Sequence, residues 1–522
     1  MERQLQLKFK IICFLLLIFF FLSSCSNKSE NYVFKSAVFG NPKTLDPQCA
    51  FDASAYSVIH NVFQGLFTYN ENGDIVYGMI DDYSVSEDGL LWLFELKEGI
   101  MWSDGADYQA ECTANDYVFA FQRLFKPETM SERAGEYYII KNSEKINKGI
   151  ISDLSELGVR AINTYTLEIE LEKTCSNFKA LLAMSPAMPC NEEYFVSTEG
   201  RYGLAADCVA SNHDYYVHTW NYDKWSNDNN YFILRLNKLN KNKKTIPMGI
   251  NFFINPNNEY KDFEDGTFSV YNSKSAEETI ELLNEYNYLT FEIGVWGFIF
   301  NFRSEFSEYD YRISLANCVD YGEKDLIYSE IKRIIPDNIN IGEQSYSSIS
   351  DVSAQYHNSD ISNVGMLTSK KFIMPQNSGL RAKIGDILQT WQVECNFYCN
   401  LSELNDIDYL KALQNGDFDI ALVRIDGEYN SPYAFLNNFL HDNYENYSNY
   451  KNQKFEHIIN SALTANDDKI AASFYMEAEQ LLVDNAIFVP LCTEKEFIFV
   501  SDKLDNVWYN PYSRVYGYME SD

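Results

Sequence analysis

Histidines and cysteines carry most of the metal and nucleophile chemistry available to a protein, and this 522-residue chain has six of the first and eleven of the second. His213, Asp214 and His218 make the nearest approach to a metal-binding cluster. A structural zinc site needs four ligands, and nothing nearby completes the set, so no metal is expected. No serine, histidine and aspartate fall in an order with the local signature of a hydrolase. No glycine-rich segment has the spacing of a phosphate-cradling loop. The chain therefore reads as a non-enzyme that calls for no cofactor. Of the cysteines, Cys13 lies inside an apolar leader and Cys25 follows it. The other nine, at 49, 112, 175, 190, 208, 318, 395, 399 and 492, are odd in number and irregular in spacing, which is no disulfide framework. Val393, Cys395, Phe397 and Cys399 alternate with polar residues, which predicts a strand. Its rise would hold the Cα atoms of Cys395 and Cys399 ~13 Å apart, too far for a bridge, so both read as small core residues.

Cys25 stands at a position with its own chemistry. Arg3, Lys8 and Lys10 precede an apolar run from Ile11 to Leu22, and Ser23-Ser24-Cys25 leads into the polar Ser26-Asn27-Lys28-Ser29-Glu30. A basic start, a short apolar core and small residues at the cut describe a secretory leader. The run is shorter than the ~20 residues that a membrane-spanning helix needs. Leu22-Ser23-Ser24-Cys25 resembles the bacterial lipobox, which implies that the Cys25 thiol is diacylated and becomes the first residue of the mature chain. Two acyl chains anchor a protein stably where one does not. The mature protein is thus expected on the outer side of the cell membrane, facing either a periplasm or the cell surface.

The elements that follow must position any site. Lys and Arg total 42 against 75 Asp and Glu, a net charge of −33. Such a surface repels nucleic acid and anionic headgroups, and its main effect is on solubility. The ~500 residues beyond Cys25 exceed what one core serves, so two or three lobes are expected. Tyr32 to Phe39 alternates as a strand, Leu90 to Leu96 is a dense apolar strand, and Leu167 to Leu171 alternates again. Thr113 is a helix N-cap with Asp116 at the capping-box position, and Tyr117, Phe121 and Leu124 follow at helical spacing until Pro127. Ala472 to Val483 is an amphipathic helix ahead of a buried strand at Ile487 to Leu491. Alternating strands and helices place the chain in the α/β class.

A series of motifs makes this assignment more specific. Asn41-Pro42-Lys43-Thr44-Leu45-Asp46-Pro47 is followed by Asn61-Val62-Phe63-Gln64-Gly65-Leu66 and by Ser84-Val85-Ser86-Glu87-Asp88-Gly89-Leu90. Phe94 to Gly105 and Thr113 to Leu124 continue it. The order resembles the solute-binding proteins of peptide ABC transporters, family 5, the oligopeptide- and dipeptide-binding proteins. Gly158 to Ile169, Phe263 to Gly266, Gly416-Asp417-Phe418-Asp419-Ile420-Ala421 and Tyr429 to Leu436 extend the likeness across most of the chain.

The resemblance implies a two-lobed periplasmic-binding-protein-like fold (type II, cluster C) with an extra domain on the first lobe. It divides the chain into a leader at 1–24, a tether at 25–30, lobe I at 31–63, the extra domain at 64–175, lobe I again at 176–292, the far lobe at 293–490 and lobe I at 491–522. It implies capture of a peptide between the lobes, delivery to a membrane permease, and a monomer with no nucleic-acid partner. An acid just before the Tyr-x-x-Pro stretch would hold the ligand's ammonium; here that acid is Glu428, with Asp426 beside it and Tyr429 after it. The ligand-pairing strand falls at Phe51, Asp52 and Ala53. Arg133 replaces an expected aromatic contact, Ile425 replaces an expected tryptophan, and Gly294 and Asp426 stand where some members carry a cysteine pair. Trp296 is placed either on the cleft wall or in the core. Ser211 to Tyr216 lacks the glycine of the family's turn, so that turn must be built differently. These departures leave open a drifted member: a non-peptide binder, or a surface sensor or adhesion lipoprotein.

Overall fold

The alternating run from Tyr32 forms the strand Val33–Val38, with Phe34, Ser36 and Val38 buried. The computed structural model describes residues 32–518 apart from 227–228, 240–246, 274, 293, 320–325, 343, 357–368, 377, 442, 444, 466 and 505–506. The leader, Cys25 and the tether lie outside the described residues. Among the described residues no helix is long and apolar enough to cross a membrane.

Val33–Val38 runs parallel to Gly249–Ile254, and Tyr231–Leu236 and Tyr215–Asn221 complete a four-stranded sheet. A second four-stranded sheet joins Ile80–Val85, Leu91–Leu96, Thr166–Glu170 and Val159–Asn163 in antiparallel order. The helix Ala114–Phe125 accompanies it. Asp116 accepts the Thr113 backbone N–H at 2.7 Å, half of the capping box that the spacing predicts. Tyr117, Phe121 and Leu124 are fully buried along one stripe.

A six-stranded mixed sheet forms the far lobe, in the order Tyr328–Glu330, Phe488–Glu494, Gly294–Phe300, Ile420–Asp426, Lys370–Pro375 and Cys399–Leu404. All seven residues of its central strand Gly294–Phe300 are buried. The helices Tyr309–Asn317 and Arg381–Glu394 share one apolar cluster with Phe298, Phe300, Phe372 and Leu422 of the sheet. Trp391 lies tilted against Phe298, ring centroids 5.5 Å apart, and donates its indole N–H to the Leu315 carbonyl at 2.9 Å. Burying a side chain of that size is worth roughly 1.5–3 kcal/mol, and its polar atom is satisfied.

Two strand pairs tie this lobe to a three-stranded sheet of Val270–Asn272, Glu496–Val500 and Asn287–Phe291. Asn287–Phe291 leads into Gly294–Phe300, and Phe488–Glu494 leads into Glu496–Val500. The crossings are adjacent, since Lys495 Nζ lies 3.8 Å from Glu292 Oε1.

The strand expected over residues 393–400 is absent. Arg381–Glu394 is helical, Asn396 takes a left-handed φ of 51°, and the strand begins at Cys399. Val393 sits on the solvent side of the last helical turn, 70% exposed, so the apparent alternation spans a helix end and a loop. Cys395 is buried and Cys399 half-buried.

Candidate binding cleft

A cleft of about 450 Å³ lies where the first helix, the six-stranded sheet and the C-terminal hairpin meet. Phe51, Ala53 and Tyr56 line one side, at the start of the helix Ala53–Val62. Trp296, Arg424, Ile425, Asp426, Gly427 and Glu428 line the other, from two paired strands and the turn after them. Tyr409, Tyr447 and Phe439 add aromatic wall, and Tyr512 and Arg514 reach in from the turn between Val507–Asn510 and Val515–Tyr518.

Glu428 is the most constrained acid at the mouth. Arg133 Nη2 donates to its Oε2 at 2.7 Å and Nη1 to its Oε1 at 3.3 Å. The same guanidinium donates to the Tyr56 hydroxyl at 2.7 Å and pairs with Glu136 through Nε and Nη2. Arg133 is 4% exposed, whereas the Glu428 side chain is 43% exposed, so the carboxylate keeps one open side. Desolvation in the cleft pushes the Glu428 pKa up, and Arg133 and Arg514 counter part of that rise. Burial also pushes the Tyr56 phenol up to about 12.

A second network lies behind Trp296. Arg424 Nε donates to Asp426 Oδ1 at 2.7 Å and Nη1 to Glu494 Oε2 at 2.9 Å, and Nη2 pairs with Glu496. The Trp296 indole N–H donates to the same Glu494 oxygen at 2.8 Å. Trp296 is thus both core and wall, 8% exposed with one face to the cleft. Gly294 faces Asp426 across the strand pair. A Cβ on Gly294 would collide with Asp426 Oδ1 and Arg424 Nε, so this ion pair occupies the space that a side chain would need. In these two networks two guanidinium groups meet five carboxylates, which leaves the wall negative and favours cationic groups on a ligand. Arg514 adds a third cation with no hydrogen bond or ion pair among the described residues.

The expected site residues separate into three groups. Phe51, Ala53, Trp296, Asp426 and Glu428 line the cleft, with Ile425 where a tryptophan was expected. Arg133 lies behind it, bonded to Glu428; Tyr429 is buried at 2% exposure and does not line it. In the stretch expected to pair with a ligand, Phe51 to Ala53, the helix Ala53–Val62 begins at the last residue. Asp52 is extended (φ −109°, ψ 150°), and its carboxylate caps the next helix by accepting the Ala55 N–H at 2.8 Å. Helix initiation takes the backbone from Ala53 onward, leaving Asp52 extended ahead of it. Tyr56 and Arg424 were missed, although each has a local signal: Tyr56 is one helical turn after Ala53, and Arg424 shares a strand face with Asp426. Arg514 and Tyr512 come from a distant hairpin and have none.

The glycine-free turn is closed by side chains. Asn212 accepts the Gln64 N–H and donates to the Gln64 carbonyl, both at 3.0 Å, and Ser211 Oγ donates to the Val62 carbonyl at 2.6 Å. His213 lies 3.9 Å from Asp214, while His218 bonds Thr219 instead. Among the described residues no three His, Cys, Asp or Glu side chains are grouped to hold a metal ion.

Residues 74–321 match the family model of bacterial extracellular solute-binding proteins, family 5, middle region. The oligopeptide-binding protein OppA of Bacillus subtilis is 24% identical over 485 residues, covering 86% of this chain and 85% of its own. The periplasmic murein peptide-binding protein MppA of Escherichia coli is 34% identical over 157 residues, 29% of this chain and 28% of its own. Among solved structures, the substrate-binding domain of a Bacillus anthracis oligopeptide ABC transporter superposes with a TM-score of 0.74 at 21% identity, covering 94% of this chain and 98% of that one. Listeria monocytogenes OppA bound to peptide gives 0.73 at 20% identity, covering 93% and 98%. The fold is the two-lobed α/β architecture of these proteins, all of them named for binding or transport and none for catalysis.

Proposed function

We propose that this chain is a family 5 extracellular solute-binding protein, a lipid-anchored receptor that captures peptides in the cleft and delivers them to an ABC importer. The observation that carries the reading is Glu428, an acid with one open side in an aromatic-walled cleft of negative charge. The curated relatives named above bind oligopeptides or murein peptide. A carboxylate that already holds Arg133 retains lone pairs for a second donor, and a peptide's terminal ammonium supplies one. Roomy walls of Tyr, Phe and Trp suit side chains of varied shape.

Calorimetry with a peptide and its N-acetylated form tests the assignment. Glu428→Gln keeps the shape and removes the charge, and should weaken the free peptide by about 1.5–3 kcal/mol while leaving the acetylated one unaffected. Equal affinity of the wild-type protein for both peptides would remove Glu428 from this role.

The Arg133 bridge also favours a second reading, a non-peptide binder or surface sensor. With its acid already answered from within, the cleft accepts a ligand that lacks an ammonium. Mass spectrometry of ligands that co-purify with the protein separates the two readings.

Anchoring rests on Ser23-Ser24-Cys25 and the leader before it. Cys25→Ser should release the protein to the medium or leave it as unprocessed precursor. A Cys25→Ser protein that is still membrane-bound and correctly cut would exclude acylation at this residue.

A further inference from the structure

Cys318 ends the helix Tyr309–Asn317, and Cys395 ends the helix Arg381–Glu394. The Cys395 thiol donates to Cys318 Sγ at 3.0 Å, although 77 residues of chain separate them. A disulfide needs ~2.05 Å between the sulfurs, so a shift of about 1 Å brings them to bonding distance. The two helices are already fixed to each other, because Trp391 of one donates to the Leu315 carbonyl of the other. Cys318 is half-buried and open to a reagent, while Cys395 is buried behind it.

We propose that Cys318 and Cys395 form an intramolecular disulfide once the protein is outside the cytoplasm, fastening together the two helices that cover one face of the six-stranded sheet. Extracytoplasmic compartments are where such bonds form and persist. The inference needs that placement only; neither sulfur lines the cleft, so it is independent of the ligand.

The oxidant is an external disulfide, on a small thiol compound or an oxidoreductase. The hydrogen bond from Cys395 lowers the Cys318 pKa and raises that of Cys395. Cys318 is therefore the thiolate that attacks first. It joins one sulfur of the external disulfide, whose other sulfur leaves as a thiolate. The Cys395 thiol then gives up its proton, and its sulfur attacks Cys318 Sγ and expels the second external thiolate. Two protein thiols are oxidised, one external disulfide is reduced to two thiols, and the two protons pass to those products or to solvent.

The full chain should be produced with its own leader, isolated from the cell envelope, and alkylated under denaturing conditions without reductant. The digest should contain the Cys318 and Cys395 peptides joined, about 2 Da lighter than the two thiol peptides together and separated by dithiothreitol. Cys318→Ser should leave Cys395 alkylated, and Cys395→Ser the converse. Oxidised wild type should melt several degrees above reduced wild type, a comparison that survives poor folding of either variant. Both thiols found alkylated in the envelope-derived protein, or Cys318 bridged to a different cysteine, would overturn the proposal. Peptide affinity should be the same in the oxidised and reduced forms, so loss of binding tests the cleft and not this bond.

Discussion

Glu428 and Asp426 stand in the cleft, yet each is held by an arginine: Glu428 by Arg133, which the fold brings from 295 residues away, and Asp426 by Arg424, two positions earlier on the same strand. Glu479 is an acid that sequence offers no reason to single out. It is fully buried and accepts the Ile334 and Ile335 N–H groups and the Tyr346 hydroxyl, each at 2.8 Å. Burial pushes its pKa up to about 7 from a usual 4.5. Between those values the unfolded chain loses its proton while the folded chain keeps it. The stability it contributes is full below pH 4.5 and lost as pH rises through about 7. The loss is worth about 3 kcal/mol at 1.36 kcal/mol per pKa unit. Denaturant titrations across this window should show a shallower decline for Glu479→Gln than for wild type. Parallel curves would mean that Glu479 is ionised in the folded protein.

Elements were legible where one local signal dominated. The Thr113 cap and the stripe of Tyr117, Phe121 and Leu124 specify the helix that forms at Ala114–Phe125. Leu91–Leu96 and Thr166–Glu170 are strands, as the dense apolar run of the first and the alternation of the second predict. The helix read from Ala472 begins earlier, at Asp468, because Asp467 caps it by accepting the Lys469 and Ile470 N–H groups at 2.8 and 3.2 Å. Asp467→Ala should cost about 1 kcal/mol, read as a lower denaturant midpoint at unchanged slope. Residues 393–400 were misread because four apolar residues on alternate positions suit a strand equally well when two of them close a helix.

At the scale of the molecule, we propose that the lobes pivot at the adjacent crossings near Glu292 and Lys495. A ligand that touches both Tyr56 and Glu428 favours closure by its differential affinity for the closed state. Solution scattering should show a smaller radius of gyration with saturating peptide, and Trp296 at the cleft wall should report closure by fluorescence. An unchanged radius with a peptide shown to bind would mean that the cleft is already shut or that the site lies elsewhere, and would favour the sensor reading. Class and the order of the motifs could be read along the chain because each depends on residues a few positions apart: a cap, an alternation. The cleft could not. Arg133 meets Glu428, Arg514 enters from a C-terminal hairpin, and Cys318 meets Cys395 only after hundreds of intervening backbone bonds have been fixed by packing. Charge pairing and burial act through space, so the pairing of Glu428 by Arg133 was decided by the tertiary structure.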